Sequence, residues 1–597
     1  MARLRVLRAA CLAVAAAVLA AGCATVPTVG QPRAVTGATG QVPQFVQPIP
    51  PMPQPNWTPA QVVQGFLAAS ASFTDNHAAA QNFLSPSARR TFRLSRWPVR
   101  VVGGTLSEQT ISLGPASKQE PGPVEATLAT QQLATISPIG QYVYGQPERR
   151  VYKFTLVKSS GQWRINTLTP PALLLSQDSF MDVYQPRNLY FWSPGDLSLV
   201  PEPVFAPQQD TYAAAAASLV NALLRTNQDQ GSGSQDRTWL AGATQTAFLA
   251  GTTLIGDKVA IAGQTATVNL GGAAARASPT ELQLMAQQLV TTLTSTSYSS
   301  PAIARNVVLE VNGQVRDSND QPGPLALPPA GGALYYLAAN GTVTASNGQD
   351  GKAIRNPPGP GQLPFTEIAV WSEPSADTQL LAGAVASGQG CAVYHGTLAA
   401  SSPLTLSVVP DARSGPCTSL SWDSQGDIWA VTASGIWVLP AGMSQFTAVR
   451  LPLLPGGSPA GYRVLSVRVA PDAVRVAMLV QVGGGTQVVM AAVSHTHSEF
   501  VLGSTVAVGP ALDNPVALDW LDTDDLVVLA GSELYSVPVN GGSEVPLDPA
   551  PPGVVSVTAT GSGHVALSGA GQIWTSSGKR QPMHQLQTTG ASAVYQQ

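Results

Sequence analysis

The stretch LSWDSQGDIWAVTASGIWVL, residues 420–439, decides the architecture of this chain. An apolar strand closes on Trp422, small and acidic residues from Asp423 to Gly426 turn the chain, and a later strand carries the pair Ile436-Trp437. Short strands punctuated by turn residues belong to an all-β region. The unit recurs. Apolar–aromatic pairs stand at Leu334-Tyr335, Val393-Tyr394, Leu534-Tyr535 and Ile573-Trp574, and Val488-Val489 fills the one interval without an aromatic. Ahead of these pairs Trp371, Val469, Trp520 and Ala559 hold the place of Trp422, and the matching turns are Pro471-Asp472, Asp522 to Asp525 and Gly561 to Gly563. The interval runs from ~40 to ~60 residues, the range of four-stranded propeller blades. From residue 321 to 597 no helical pattern intervenes, and a repeat of about 45 residues gives six blades, with five and seven as neighbouring counts. A β-propeller follows because radial repetition leaves only short, protected sheet edges. A pair of β-sandwiches would not need so regular a spacing.

Upstream the pattern changes to helices and strands. Residues 211–320 read as a small α+β domain. Thr211 to Leu224 is an Ala-rich helical run, and Lys258 to Ile261 pairs with Thr265 to Leu270 around a turn. Ser278-Pro279-Thr280-Glu281 is a capping box with proline at the first helical position. Leu282, Met285, Leu289 and Leu293 follow on one face as core. Val307 to Val311 ends in Asn312-Gly313, a hairpin signal. Residues 57–175 read as a first α+β domain: a helix capped at Thr58-Pro59, a second over His77 to Leu84, then strands, with Val151 to Val157 turning at Ser-Ser-Gly into Gln162 to Ile165. Between the two, residues 176–210 form a Pro-rich aromatic connection expected to dock on a neighbouring domain, because Phe180, Tyr184, Tyr190, Phe191, Trp192 and Phe205 are too apolar to leave in water; the alternative is that exposed aromatics mark a partner site.

The N-terminus reads as an export signal over residues 1–22. Arg3, Arg5 and Arg8 lead into the uncharged run Ala9 to Ala21, too short for the roughly 20 apolar residues of a membrane span. Leu19-Ala20-Ala21-Gly22-Cys23 resembles a bacterial lipobox, with Ala20 at the place where leucine is usual. Cys23 is therefore expected as the N-palmitoyl, S-diacylglyceryl cysteine that anchors the chain at the extracytoplasmic side of the cell membrane. Two or more acyl chains anchor stably because each buried methylene contributes about 0.8 kcal/mol. Residues 23–56 form the lipidated tether, crowded with prolines from Pro43 to Pro55 that favour an extended polyproline path.

Composition narrows the function. The chain has 597 residues, enough for three or four domains, with 11% charged residues, 56 glycines and 50 prolines. The 31 basic residues face 34 acidic ones, and three of the basic ones leave with the leader. An exported, mildly acidic chain lacks the basic surface that nucleic-acid binding requires. Of four cysteines, Cys11 leaves with the signal and Cys23 takes lipid, so Cys391 and Cys417 are expected as a disulfide in an oxidising compartment. One local basic run, Arg89, Arg90, Arg93, Arg96 and Arg100 with Phe92 and Trp97 between, fits either a solvated helix face or a patch for acidic head groups, anionic wall polymer or an acidic partner.

Catalytic constellations are missing from the sequence. No serine has glycine two positions before and after it. Neither H-E-x-x-H nor G-x-x-x-x-G-K-[ST] occurs, and the glycine runs at Gly483 and Gly561 read as turns. His495-Thr496-His497 places two imidazoles on one strand face without a third ligand in view. Asp522, Asp524 and Asp525 carry the carboxylates of a calcium loop but sit where a turn uses aspartate anyway. No catalytic, cofactor or metal residue is assigned, and a non-enzyme is expected.

The full order resembles the LpqB family of actinobacterial lipoproteins. The resemblance rests on the lipobox at Cys23, the connection from Leu173-Leu174-Leu175-Ser176 through Asn188-Leu189-Tyr190-Phe191 to Leu199-Val200-Pro201, a block from Leu254 to Gly313 similar to a GerMN domain, and the propeller. It implies an accessory of an MtrA–MtrB-type two-component system, a lipoprotein engaging the extracytoplasmic part of a sensor histidine kinase in cell-envelope and cell-cycle signalling. Two alternatives stand beside it, a wall glycan- or peptide-binding sensor and a propeller-based wall hydrolase or lyase.

Overall fold

A computed structural model describes residues 50–597 apart from short internal stretches, the longest being 73–76, 115–121, 227–237, 328–331, 347–352, 356–362, 374–377, 399–403, 411–414 and 455–460. The leader, Cys23 and most of the tether lie outside the described residues, as do Arg93, Arg96 and His497. Among the described residues no helix is long and apolar enough to cross a membrane.

Helix α1 (Pro59–Ser70) starts where Thr58 accepts from the Gln61 N–H and Gln61 answers the Thr58 N–H, a reciprocal cap. Its apolar face, with Val63 and Phe66, is buried. The expected second helix is broken. Only α2 (Ala78–Gln81) forms, entered through a left-handed His77, and α3 (Pro86–Thr91) begins at the new cap Ser85. Serine before proline starts a helix more readily than it continues one. Strands β1 (Val99–Val102), β2 (Ile111–Leu113), β3 (Val124–Ile136), β4 (Tyr142–Ser159), β5 (Gln162–Thr169) and β6 (Leu173–Ser176) make a six-stranded sheet ordered β5-β4-β3-β1-β6, with β2 also on β3. The long β4–β5 hairpin turns at Ser160 and Gly161, both at positive φ. Helix α4 (Gln177–Val183) follows.

Residues read as a connection form an element of their own. Strands β7 (Tyr184–Trp192) and β8 (Leu199–Pro207) pair antiparallel over their full length. Tyr184 and Phe205 belong to the first core, Leu189, Phe191 and Val204 to the second, and Val200 to a propeller core. The hairpin thus supplies apolar side chains to all three units, and this explains why its aromatic residues are buried.

The second unit opens on α5 (Tyr212–Arg225), capped by Thr211. Strands β9 (Thr252–Leu254), β10 (Ala260–Ala262), β11 (Thr265–Gly272), β12 (Asn306–Val311) and β13 (Gln314–Asp317) form its sheet, in which β11 and β12 are parallel. A parallel pair needs a crossover. Helix α6 (Pro279–Thr294) supplies it, with both halves of the Ser278/Glu281 capping box present. Asn312 and Gly313 take the positive φ values that a two-residue hairpin turn demands.

The C-terminal region is a six-bladed propeller. Blades 2 to 6 run in chain order: β17–β20 (Phe365 to Val408), β21–β24 (Ser419 to Arg450), β25–β28 (Arg463 to Val508), β29–β32 (Pro515 to Pro549), and β33–β35 (Ser556 to Thr575) completed by the first half of β36 (His584–Tyr595). Blade 1 closes the ring. The second half of β36 pairs with β14 (Leu334–Ala338), followed by β15 (Val343–Ser346) and β16 (Ala353–Arg355). The last strand of the chain is therefore the innermost strand of the first blade. This corrects one equivalence in the repeat: Leu334-Tyr335 lies on a second strand, whereas the other pairs lie on third strands, because the closing blade borrows its first strand from the far end of the chain. Cys391, in blade 2, is joined to Cys417, which precedes blade 3.

Residues Val42–Gln597 make one compact unit. Tyr144 donates to the Gly541 carbonyl (2.9 Å) and ties the first sheet to the propeller, while Gln288 donates to the Tyr190 carbonyl (2.7 Å) and ties α6 to the hairpin.

Candidate functional site

The residues that mark the repeat come together at one end of the propeller channel. Trp371, Trp422, Val469, Trp520 and Ala559 each end, or nearly end, an innermost strand, and all five line a recess of about 530 Å³ with Gln596 and Gln597 in the sixth place. Each indole fastens neighbouring blades. Trp422 Nε1 donates to the Ala369 carbonyl of blade 2 (3.2 Å), and Trp520 Nε1 donates to the Arg468 carbonyl of blade 4 (3.1 Å). Trp371 stacks on Trp422 at 5.8 Å between ring centres. Gln597 accepts from the Trp422 N–H through its side chain (2.8 Å) and donates its own N–H to Val370 (2.8 Å), so the closing strand also locks blades 2 and 3.

Two acids face the recess, and both are engaged. Asp423 Oδ1 accepts from the N–H groups of Gln425 and Asp427, and its Oδ2 accepts from Trp429 Nε1 (2.9 Å). Asp519 accepts from the Trp520 N–H (2.9 Å) and the Ala559 N–H (3.0 Å), with Arg468 at 3.8 Å. Burial raises both carboxyls above the ordinary range; the neighbouring Asp427 raises Asp423 further, whereas Arg468 pulls Asp519 back. These carboxylates hold turns and blades. The mouth is a shaped, largely apolar recess. The segment Leu325 to Leu327 crosses its rim beside the hairpin, where the Leu199 N–H donates to the Pro324 carbonyl (2.7 Å), and Leu327 is 65% exposed.

Aspartate turns recur beyond Asp423. Asp472 accepts from the Val474 and Arg475 N–H groups, and Asp522 from those of Asp524 and Asp525. Asp522 to Asp525 thus form the blade turn. Among the described residues no three His, Cys, Asp or Glu side chains stand close enough to hold a metal ion. His495 stacks on Phe500 at 5.3 Å. Of the basic run, Arg89 and Arg90 are exposed while Arg100, half-buried, donates to Thr135.

A second polar group lies where the three units meet, and sequence reasoning missed it. Glu202 on β8 is 0% exposed and accepts from Gln141 of the first unit (2.5 Å) and from Thr238 (2.5 Å). Burial pushes its carboxyl up to about 7, against the hydrogen bonds from Thr238 and Gln141 and the field of Arg475. Arg475 is itself buried, paired with Asp472 at 2.7 Å and seated 5.0 Å from the centre of the Trp520 ring. Nearby, Asn188 of the hairpin donates to Asp524 of the propeller (2.8 Å). The sequence does hold a trace of this junction: Pro201-Glu202-Pro203 sets an acid inside an otherwise apolar strand.

Comparison with known proteins follows the same three-part division. Residues 52–181 match the family model described as the N-terminal domain of lipoprotein LpqB, residues 188–317 the sporulation and spore germination model, and residues 341–592 the LpqB β-propeller domain. A lipoprotein LpqB of Thermobifida fusca is 29% identical, covering 98% of this chain and 97% of the relative. Another from Streptomyces coelicolor is 26% identical, covering 94% and 92%. Among solved structures, TolB from Acinetobacter baumannii is similar at 15% identity and a TM-score of 0.33, covering 44% of this chain and 66% of that one.

Proposed function

This chain belongs to the LpqB lipoprotein family, and from that premise we propose that it is a non-catalytic, lipid-anchored recognition protein of the cell envelope that modulates a membrane sensor histidine kinase of the MtrA–MtrB type. Cys23 carries the anchor and keeps the folded unit on the extracytoplasmic face of the membrane. The observation that supports recognition over turnover is the propeller mouth. Its two acids have their oxygens committed to fixed N–H donors, so the recess offers shape and indole surface without a free acid–base pair. General acid–base catalysis needs a carboxyl within reach of a substrate proton. The junction at Glu202 and Arg475 then makes contact at the mouth a contact with the whole unit, because the hairpin packs in all three cores.

The test is Cys23→Ala in cells. The variant folds, leaves the membrane fraction and loses its effect on kinase output; unchanged output from the soluble form overturns the reading. Binding of a wall glycan is the second reading, favoured by the three indoles around the recess. Saturable binding of purified wall fragments without product, lost in Trp422→Ala and with kinase output unaffected by Cys23→Ala, selects it over the first.

A further inference from the structure

A separate cavity of about 310 Å³ lies between the first sheet and α5, bordered by the β7–β8 hairpin and by no propeller residue. Ligand sites occupy roughly 300–1,000 Å³ and favour domain boundaries, and this one meets both conditions. Its walls come from three directions: Trp97 and Ile136 from the first unit, Val204 and Phe205 from the hairpin, Leu219 and Ala222 from α5. His77 adds an imidazole to the wall; burial pushes it down to about 4, so it is uncharged at neutral pH.

Arg225 is the one lining residue, among the described residues, that carries a full charge. It stands in the last turn of α5 with an exposed side chain, and Nη1 donates to the Pro138 carbonyl (3.4 Å), itself part of the lining. That bond places a cation at the rim of a chamber whose lining is mainly apolar, with Ser137, Gln209, Ser218 and Asn221 as polar members and no acid among the described residues. An arginine in a last helical turn also answers the helix dipole, but the dipole does not require a chamber beneath it. A mainly apolar chamber with the Arg225 guanidinium at its opening has the chemistry of a ligand with a hydrocarbon body and one anionic end.

We propose that this cavity binds a single-chain anionic amphiphile, the hydrocarbon along Ile136, Phe205 and Leu219 and the anionic head at Arg225. The occupant touches the first unit, the hairpin and α5 together. Binding therefore stabilises their association by mass action, and the thermal transition rises with ligand concentration.

The probe is decanoate, titrated by calorimetry into the folded chain without its leader, with decyltrimethylammonium as a cation of the same chain length. Decanoate saturates a single site and binds several-fold more tightly than the cation. Ala222→Trp fills the chamber from α5 and abolishes decanoate binding while the thermal transition of the unliganded protein stays in place. Should that variant fail to fold, Ser218→Phe fills the same space from one helical turn earlier. Arg225→Gln weakens decanoate several-fold and brings anion and cation to similar affinity. Lack of saturable decanoate binding, undiminished binding in a folded chamber-filling variant, or equal affinities for anion and cation in the unaltered protein overturns the proposal.

Discussion

Two buried carboxylates, Asp472 and Glu202, solve the same electrostatic problem differently. Asp472 meets a cation three residues on, Arg475, at 2.7 Å, and takes two backbone N–H bonds from its own turn. Glu202 touches no cation among the described residues; its oxygens are held by neutral donors 61 and 36 positions away, one of them from the first unit. A charge compensated locally is secured once its own blade forms. A charge solvated by dipoles from other parts of the chain is secured only when the units have assembled. Glu202 is thus a reporter of assembly, and Asp472 a reporter of the blade.

The largest expected effect breaks the local pair. Asp472→Ala leaves the Arg475 guanidinium buried without its partner, a loss of about 3–5 kcal/mol, and urea unfolding followed by tryptophan fluorescence should show the propeller transition shifted far down. A shift no larger than that of a surface substitution would mean that the Thr523 carbonyl, which accepts from Arg475 Nη1 (3.1 Å), and the field of Asp524 suffice as partners.

Next comes the pH dependence at the junction. Burial raises Glu202 from 4.5 to about 7 in the folded chain. Its contribution to stability is therefore full below the unfolded value and is lost as pH rises through about 7. Glu202→Gln does not titrate at this position, so its stability curve is flatter than the parent's between pH 4.5 and 7.5, by about 3 kcal/mol over the window. Parallel curves for the two proteins would show that the carboxylate is solvated better than its surroundings indicate.

The smallest effect sharpens the same point. Thr238→Val removes one donor from Glu202, costing about 1–2 kcal/mol where the carboxylate is ionised. The loss is larger at pH 8 than at pH 5, as measured by calorimetry at both values. An equal loss at both would reduce Thr238 to a packing residue.

How much of this was legible varies with the range of the forces involved. The N-cap at Thr58, the capping box at Ser278, the Asn312-Gly313 turn and the aspartate turns at Asp423, Asp472 and Asp522 depend on atoms a few residues apart, and they appear in the structure where their motifs stand. The indole positions Trp371, Trp422 and Trp520 were legible as a repeat, though nothing local says that they share one recess. Residues 184–207 were not legible as a hairpin. A strand pair buried on both faces lacks polar alternation, and its prolines argue for a link. Leu334-Tyr335 misled for a related reason, since the blade it belongs to is completed by a strand some 250 residues later.

By itself the amino-acid order determined the three-part division, the caps and turns, and a six-fold β repeat, because each follows from hydrogen bonds and apolar periodicity over a handful of residues. Tertiary structure alone decided that the hairpin feeds three cores, that Glu202 lies among neutral donors, and that a chamber with the Arg225 guanidinium at its rim opens beside α5. These depend on which surfaces exclude water from one another, and that is settled only when distant segments meet.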